Sequence, residues 1–346
     1  MFCCARLRSR WPVTKVTLKD VAREAGVGTA TVERVLNGRG GVRPETVEKV
    51  FVAARRLEYR QSLQVAHRGL IRIEVILVRP ETHFYSRLNR AFERIAASLD
   101  DSIVVHRTFV REDEPAQFAR YIANPTARRS ALIVVAPDHV DVVTSVRKAA
   151  DLGIPVVQIM TRPAPELPYV GIDNYAAGRT AAHYMSGMLA KRPGSFVALC
   201  HSGAYENHKE RIRGFSAYLA ERGSNEHRFI EVMFDLDDEH NAMELLRSAL
   251  RREPGIIGVY TAGGDNKGIA RVIEAGGTEL PFWVGHELTA ETQDYLRRGI
   301  MSIVLDQAPE VQARRSIDLA LNRLGLIEVE VSAEPVRFLT ITSENL

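Results

Sequence analysis

Residues 16–38 read VTLKDVAREAGVGTATVERVLNG, which is the pattern of a helix, a tight turn and a second helix. Thr17 followed by Asp20 is a capping-box-like start for the first helix. Gly26 predicts the end of that helix, because glycine accepts the positive φ that a tight turn needs. Thr29 is the expected cap of the second helix. Two short helices joined in this way can place one of them in the major groove of DNA.

The charge of the chain is divided unevenly. Residues 1–70 hold 14 Lys and Arg against 6 Asp and Glu, a net charge of +8, although the 346-residue chain as a whole carries only +3. The remaining residues therefore carry −5. A basic head on an acidic body is typical of a nucleic-acid-binding module joined to a regulatory domain.

Composition also excludes several classes. No run of 18 apolar residues occurs, so no transmembrane helix is expected, and the basic start lacks the apolar core of an export signal. We therefore expect a cytoplasmic protein without membrane contact. Cys3, Cys4 and Cys200 do not form a spaced framework, which argues against disulfides and against a metal site.

The motifs V-T-L-x-D-V-A-x-x-A-G-V, T-V-x-R-V-L-N and V-R-P-E-T-V-E-K-V follow one another without gaps from Val16 to about Tyr59. In this spacing the chain closely resembles the headpiece of the LacI/GalR family of bacterial transcription regulators. The resemblance implies an all-α DNA-binding headpiece at 16–60, with its third helix opening at Pro44, after a disordered basic extension at 1–15. The double-stranded DNA partner implied is a pseudo-palindromic operator.

The resemblance also implies roles for single residues of the head. Base-facing positions fall on Gly28, Thr29, Ala30 and Arg34. Arg34 matches an arginine whose fork pairs with O6 and N7 of guanine. Phosphate-contacting positions, which set register, fall on Thr17, Asn37 and Thr46. Gly28 and Glu33 stand where the family usually has serine, so we expect a changed operator sequence.

The linker at 61–70 departs further from the family. Gln61 replaces a proline, Ser62 an asparagine, and Arg68 falls at the position of a leucine that wedges into the minor groove. One alternative is a hinge helix over 61–68 with Arg68 entering a narrow minor groove. The other is an ordinary flexible linker.

The body at 71–346 alternates short apolar runs with helical stretches. The runs that read as strands are 71–78, 102–110, 131–136, 155–160, 169–172, 195–201, 229–235, 255–263 and 281–286. Such alternation predicts an α/β body with two lobes, each a doubly wound parallel sheet covered by helices on both faces. Ligands of such sheets bind at the carboxyl ends of the strands.

Four further segments extend the resemblance to the family's effector domain, which is similar to type I periplasmic sugar-binding proteins. These segments are GIDNYAAGRTAA at 171–182, KERIRGF at 209–215, VGHELT at 284–289 and LDQAPEVQARRSIDLAL at 305–321. Because the chain of that fold crosses three times between its lobes, we expect lobe one at about 71–191 and 306–326. Lobe two is expected at about 192–305 and 327–346.

The resemblance places effector-binding residues at the ends of several strands. They are Phe84, Tyr85, Asp173, Lys209, Arg211, Asn266, Glu287 and Gln307. Arg211 matches the family's main ligand arginine, and Glu287 falls where the family usually has Asp. Carboxylates and an arginine suit a sugar or polyol, because they pair with adjacent hydroxyls.

The leading hypothesis is a ligand-responsive repressor that acts as a homodimer. Three alternatives stay open: a solute-binding protein, an enzyme built on the two lobes, and a DNA-binding protein whose body serves only for dimerisation. The sequence contains no nucleophile elbow, P-loop or H-E-x-x-H motif, so we expect neither catalysis nor a cofactor. The effector, the operator, the direction of regulation and a dimer-versus-tetramer choice stay open.

Overall fold

The computed structural model describes residues 16–36, 41–57, 59, 70–203, 205–264, 266–276 and 281–346. The chain divides into two units, Met1–Ala66 and His67–Leu346. Asn37, Arg68 and the predicted hinge at 61–68 lie outside the described residues, as does the basic extension at 1–15.

The first unit contains the helices α1 (Leu18–Ala25), α2 (Thr29–Leu36) and α3 (Pro44–Arg56). The carboxylate of Asp20 accepts hydrogen bonds from the backbone N–H of Thr17 at 2.9 Å and from its hydroxyl at 2.6 Å. Gly26 has a φ of +66° and ends α1, as predicted. The carbonyl of Gly28 accepts the first backbone hydrogen bonds of α2. Gly28 therefore takes the cap position that we expected for Thr29, which is already inside the helix.

A small apolar core joins the three helices. Its buried members are Val21, Ala22, Val32, Val35, Val50 and Ala53. Since Val32 and Val35 both point into this core, the opposite side of α2 faces water.

The second unit begins with a five-stranded sheet. Its strands are β1 (Ile71–Leu77), β2 (Ile103–Phe109), β3 (Ala131–Val134), β4 (Val156–Ile159) and β5 (Tyr169–Val170). They lie in the order β2-β1-β3-β4-β5 and all pair in parallel. The helices between them are α4 (His83–Ala96), α5 (Pro115–Ala123) and α6 (Val140–Asp151). All four residues of β3 are buried, as a parallel strand covered on both faces requires.

A six-stranded sheet follows. Its strands are β6 (Gly194–Cys200), β7 (His227–Phe234), β8 (Ile256–Thr261), β9 (Phe282–His286), β10 (Ile303–Asp306) and β11 (Leu339–Ile341). Their order is β11-β10-β9-β8-β6-β7, and β11 alone among these described strands runs antiparallel. The helices that follow along the chain are α7 (Asn174–Met188), α8 (Glu206–Arg222), α9 (Glu239–Arg252), α10 (Asn266–Ala275), α11 (Ala290–Arg297) and α12 (Pro309–Arg323). Of these, α12 returns to the first sheet, where Ala313, Ile317 and Ala320 are buried in its core. The predicted α/β body with two doubly wound sheets is confirmed.

Residues near the expected lobe boundaries pack against both sheets. Lobe one was expected to run to 191, yet Ala181, Ala182 and Met185 of α7 are buried in the core of the second sheet. Because Ala177 of the same helix lies in the core of the first sheet, α7 contacts both cores. Val336 forms an isolated parallel β-bridge with Ile172 of the first lobe. The chain after residue 326 therefore still contacts lobe one before it reaches β11 in the second sheet. Near both boundaries the spacing of apolar residues does not change along the chain. The lobe to which a residue belongs is therefore visible only from its packing.

The carboxyl ends of the strands carry unusual backbone conformations. Among the described residues, six that are not glycine have a positive φ: Arg79, Met160, Leu236, Asp237, Glu287 and Ala308. Each follows the end of β1, β4, β7, β9 or β10 within three residues. Such backbone costs about 1–3 kcal/mol per residue, and it clusters at functional sites.

None of the described helices combines the length and the apolar composition that crossing a bilayer requires.

Candidate functional site

The exposed side of α2 presents the predicted base-facing residues together. Gly28, Thr29, Ala30 and Arg34 are all exposed, and Glu33 is exposed beside them. In the part of the chain that the structure describes, neither Glu33 nor Arg34 forms an ion pair. The guanidinium of Arg34 is therefore available to an external partner.

The predicted phosphate-contacting residues lie at two helix starts. Thr17 precedes α1 and is exposed, with its hydroxyl directed to Asp20. Thr46 lies in the first turn of α3 and is half-buried. Amide groups at a helix start attract phosphate, since the helix dipole is positive there.

The candidate site of the second unit lies in the cleft between its two sheets, and Arg211 of α8 is a buried residue of this site. Its side chain is only 2% exposed. Nε donates to the Asn174 side-chain oxygen at 2.8 Å, and Nη1 donates to the Ala262 carbonyl at 2.8 Å. Nη2 has no hydrogen-bond partner among the described residues. Burial lowers the pKa of Arg211.

Two glycines allow this placement of Arg211. A Cβ on Gly178 of α7 would lie 1.9 Å from the backbone oxygen of Arg211, and a Cβ on Gly214 of α8 would lie 2.0 Å from the backbone oxygen of Tyr175. The backbones of α7 and α8 therefore touch at both points. This contact brings Asn174, the first residue of α7, within reach of the guanidinium.

Glu287 and Gln307 lie together at the ends of β9 and β10. The Gln307 amide donates to one carboxylate oxygen of Glu287. The other carboxylate oxygen and the Gln307 amide oxygen are buried without a partner among the described residues. Burial, together with the nearby charge of Asp306, raises the pKa of Glu287 to about 7.

Two aromatic residues and a histidine complete the wall of the cleft. Phe84 is buried and meets Tyr85 edge to face, with ring centroids 5.3 Å apart. Burial raises the pKa of Tyr85, and the charges of Glu112 and Glu287 act in the same direction. His208 is buried, its Nδ1 has no partner among the described residues, and burial next to Arg211 lowers its pKa to about 3. His208 is therefore neutral and can accept or donate one hydrogen bond.

Three other predicted ligand residues have structural partners instead. Asp173 is exposed and caps α7, accepting from the backbone N–H of Ala176 at 2.8 Å. The Asn266 side-chain oxygen accepts from the Thr261 hydroxyl at 3.0 Å. Lys209 is on the exposed side of α8 and pairs with Glu206 at 3.4 Å. The structure thus does not bring Lys209 to Arg211, although the two are close in sequence.

The mouth of the cleft is spanned by contacts that the sequence did not suggest. Arg79, after β1, forms an ion pair with Asp237, after β7. The Tyr205 hydroxyl at the start of α8 donates to Glu112, after β2. We call these two pairs the mouth contacts. Arg79 also lies 3.5 Å from Glu112, and its guanidinium carbon is 6.0 Å from the centre of the Tyr205 ring. Both mouth contacts link lobe one to lobe two.

A polar residue within three positions of the end of a strand was the available signal for these residues. Arg79, Glu112 and Asp237 all occupy such positions. Their pairing could not be foreseen, because the partners are far apart in sequence.

One group of described residues has the composition of a metal site. His201, Asp235 and Asp237 each offer a ligand atom, and these atoms lie within 4.8 Å of one another. The Arg79 guanidinium, however, already pairs with Asp237. Burial and Arg79 lower the pKa of His201 to about 4. Since the positive charge of Arg79 already neutralises the Asp237 carboxylate, we assign no metal to this group.

Comparison with known proteins covers both units. A family model described as a periplasmic binding protein domain matches residues 73–325. A model described as bacterial regulatory proteins, lacI family, matches residues 17–62.

Two curated relatives span most of the chain. The sucrose operon repressor of Pediococcus pentosaceus is 27% identical over 236 residues, which is 67% of this chain and 69% of the relative. The ribose operon repressor of Halalkalibacterium halodurans is 25% identical over 284 residues, which is 80% of this chain and 78% of the relative.

Solved structures share the fold of the second unit. A periplasmic solute-binding protein from Actinobacillus succinogenes with bound D-allose has a TM-score of 0.69 and 20% identity, covering 79% of this chain and 98% of its own. A glucose-galactose binding protein from Geobacillus stearothermophilus has a TM-score of 0.67 and 19% identity, covering 81% and 99%. At these identities the likeness concerns the fold alone.

Proposed function

Because the chain belongs to the lacI family of bacterial regulatory proteins by its head and to the periplasmic-binding-protein family by its body, we propose that it is a repressor controlled by a small polyhydroxylated ligand. It is a DNA-binding transcriptional regulator in this family. The ligand binds between the two lobes, and its binding changes the affinity of the headpiece for an operator. Such coupling requires only that the ligand bind one of two conformations more tightly.

One observation supports the ligand site above all. Among the buried side-chain atoms that have no partner in the described part of the chain, four come from three separate elements of the cleft: Arg211 Nη2, His208 Nδ1, Glu287 Oε2 and Gln307 Oε1. Leaving such groups unpaired costs about 1–3 kcal/mol each. The set includes both donors and acceptors, which hydroxyl groups can satisfy in either direction. The relatives named for sucrose and ribose operons are in keeping with a sugar or polyol.

The head supplies the output. Arg34 reads a guanine, Gly28, Thr29 and Ala30 face neighbouring bases, and Thr17 and Thr46 contact phosphates. Asn37 and Arg68 retain the DNA-contacting roles proposed from the sequence. A homodimer places two heads on a pseudo-palindromic operator by matching its own two-fold axis to that of the DNA. Because its target is bacterial DNA, the place of action is the cytoplasm.

The second candidate is a solute-binding protein of a transporter. The fold of the body favours it as much as the first, but the match of residues 17–62 to the regulatory family gives the chain a DNA-binding head that transport does not use. An enzyme needs side chains that take part in a chemical reaction, and we propose no catalytic role for the residues of the cleft. A body that serves only for dimerisation does not explain why these four buried polar atoms lack hydrogen-bond partners.

The test combines an operator assay with a ligand assay on the full chain. DNA from upstream of the chain's own gene should be retarded in a gel at low salt, and a panel of sugars and polyols should contain members that raise the melting temperature. Arg211→Ala should abolish the ligand response and leave operator binding intact. Arg213→Ala, on the exposed side of the same helix, is the matched control and should keep both. The absence of any retarded species would refute the proposal.

A further inference from the structure

Two arginines in the described part of the chain are deeply buried, and their surroundings differ. Arg129 is 5% exposed, and its Nε lies 2.8 Å from a carboxylate oxygen of Glu74. Arg211 is 2% exposed, and its two bonded partners, the Asn174 amide and the Ala262 carbonyl, are both neutral. Arg211 forms no ion pair with any described residue. A buried charge without a paired opposite charge is destabilising, and proteins normally supply the partner.

Two other arginines that link segments around the cleft already have carboxylate partners. Arg79 pairs with Asp237 at the mouth. Arg87 of α4 contacts Asp306 at 2.6 Å and Glu310 at 2.9 Å. Both guanidinium groups therefore already have a negatively charged partner. Arg211 differs from both because it has none among the described residues.

Glu287 does not fill the place of a partner for Arg211. Its charge acts on Arg211, but Arg211 Nη2 and Glu287 Oε2 are both without a hydrogen-bond partner among the described residues, so the two side chains do not pair. One of its oxygens is taken by Gln307. Since burial and the charge of Asp306 raise its pKa to about 7, Glu287 is about half protonated at neutral pH. The neighbouring carboxyl therefore provides only part of a counter-charge.

We propose that the ligand is a polyhydroxylated carboxylate, a sugar acid, whose carboxylate group pairs with Nη2 of Arg211 while its hydroxyls meet Gln307, Glu287 and His208. A carboxylate is the natural partner of a guanidinium edge, and the charge-assisted hydrogen bond is about twice as strong as a neutral one. The partly ionised carboxyl of Glu287 nearby favours a single negative charge over the double charge of a phosphate. This assignment rests on the proposed function, since it concerns the same cleft.

The assignment has a consequence for protons. An anion at Arg211 disfavours ionised Glu287, so a sugar acid binds best when Glu287 is protonated. The groups that face Glu287 are Asp306 and Gln307 from β10 and its end, Arg211 from α8, and Arg87 and Tyr85 from α4. As the pH rises through about 7, Glu287 ionises and affinity for the acid falls. A neutral sugar lacks the charge that produces this loss.

The experiment is calorimetric titration of the full-length chain with matched pairs: D-galactose against D-galacturonate, D-glucose against D-glucuronate and D-gluconate, with the corresponding sugar phosphates as a third set. At least one acid should bind about tenfold or more tightly than its neutral counterpart, given the usual strength of hydrogen bonds to charged groups. Its affinity should fall between about pH 6 and about pH 8, and Glu287→Gln should remove that dependence. Arg211→Met should abolish the preference for the acid, whereas Arg213→Met should retain it.

Each other outcome is decisive. Equal or tighter binding of the neutral sugars overturns the sugar-acid assignment and leaves the proposed function standing. Tighter binding of the sugar phosphates contradicts the assignment of a carboxylate group to the ligand and supports only a negatively charged ligand. Operator binding without any response to the three sets contradicts the sugar-acid assignment and also the ligand-controlled part of the proposed function.

Discussion

Replacing Arg79 with glutamine removes the ion pair at the mouth of the cleft while keeping a side chain of similar length. The side chains of Arg79 and Asp237 are 18% and 29% exposed, so this pair lies between a surface pair and a buried one. Exposed pairs contribute about 0.2–1 kcal/mol, and loss of one partner of a buried pair costs about 3–5 kcal/mol. We expect a coupling energy of about 1–2 kcal/mol between the two residues. That amount changes the ratio of closed to open lobes by a factor of about 5–30.

The assay is a double-mutant cycle on the ligand-free full chain. The free energy of unfolding in urea is measured for the wild type, Arg79→Gln, Asp237→Asn and the double variant, and the coupling is their non-additive part. The pair Arg111 and Asp113, with side chains 70% and 62% exposed within lobe one, is the matched control. Its coupling should be smaller than that of Arg79 and Asp237, because water screens the charges of two exposed side chains.

Small-angle scattering of the same ligand-free proteins tests the geometric part of the reasoning. The Arg79→Gln variant should show a larger radius of gyration than the wild type, because a smaller fraction of its molecules has the two lobes closed. A coupling between Arg79 and Asp237 no larger than that of the control pair, with unchanged scattering, would refute the view that the mouth contacts close the cleft without ligand.

Three further outcomes are expected. Arg34→Ala should weaken operator binding by about 1–3 kcal/mol and relax the preference at one base pair, as measured by binding to a library of operator variants; unchanged specificity contradicts the role. Gly214→Ala should lower the free energy of unfolding by about 1–3 kcal/mol, because its Cβ would lie 2.0 Å from the Tyr175 carbonyl oxygen; an unchanged melting temperature argues against the helix contact. Arg129→Met should cost about 3–5 kcal/mol by leaving the Glu74 carboxylate buried and unpaired, and adding Glu74→Gln should recover most of that loss.

Local features of the fold could be predicted from the sequence. The start and the end of α1 depend on Thr17, Asp20 and Gly26, which are neighbours in the chain. Nine strands of the body could be found because each is an apolar run bounded by turn residues. The strands β10 and β11 were not among the predicted ones. Their length does not explain this, since β5 has only two residues and was predicted.

Features that join distant segments could not be predicted. Helix α7 has Ala177 in the core of the first sheet and Ala181 in the core of the second, so its composition does not assign it to a lobe. The mouth contact between Arg79 and Asp237 joins residues 158 positions apart. At the candidate site, Arg211 and Glu287 were found by resemblance, whereas the unpaired state of Arg211 required the positions of its neighbours.

The positive-φ residues at the strand ends have a consequence for directed evolution. Glycine at Met160 or Ala308 would relieve backbone strain, because glycine adopts a positive φ without the steric penalty of a Cβ. A selection for heat resistance alone would therefore favour relaxed loops around the cleft. Because these loops hold the ligand-facing side chains, more heat-resistant descendants should lose regulation before they lose their structure, a trade-off common to proteins whose active regions store strain.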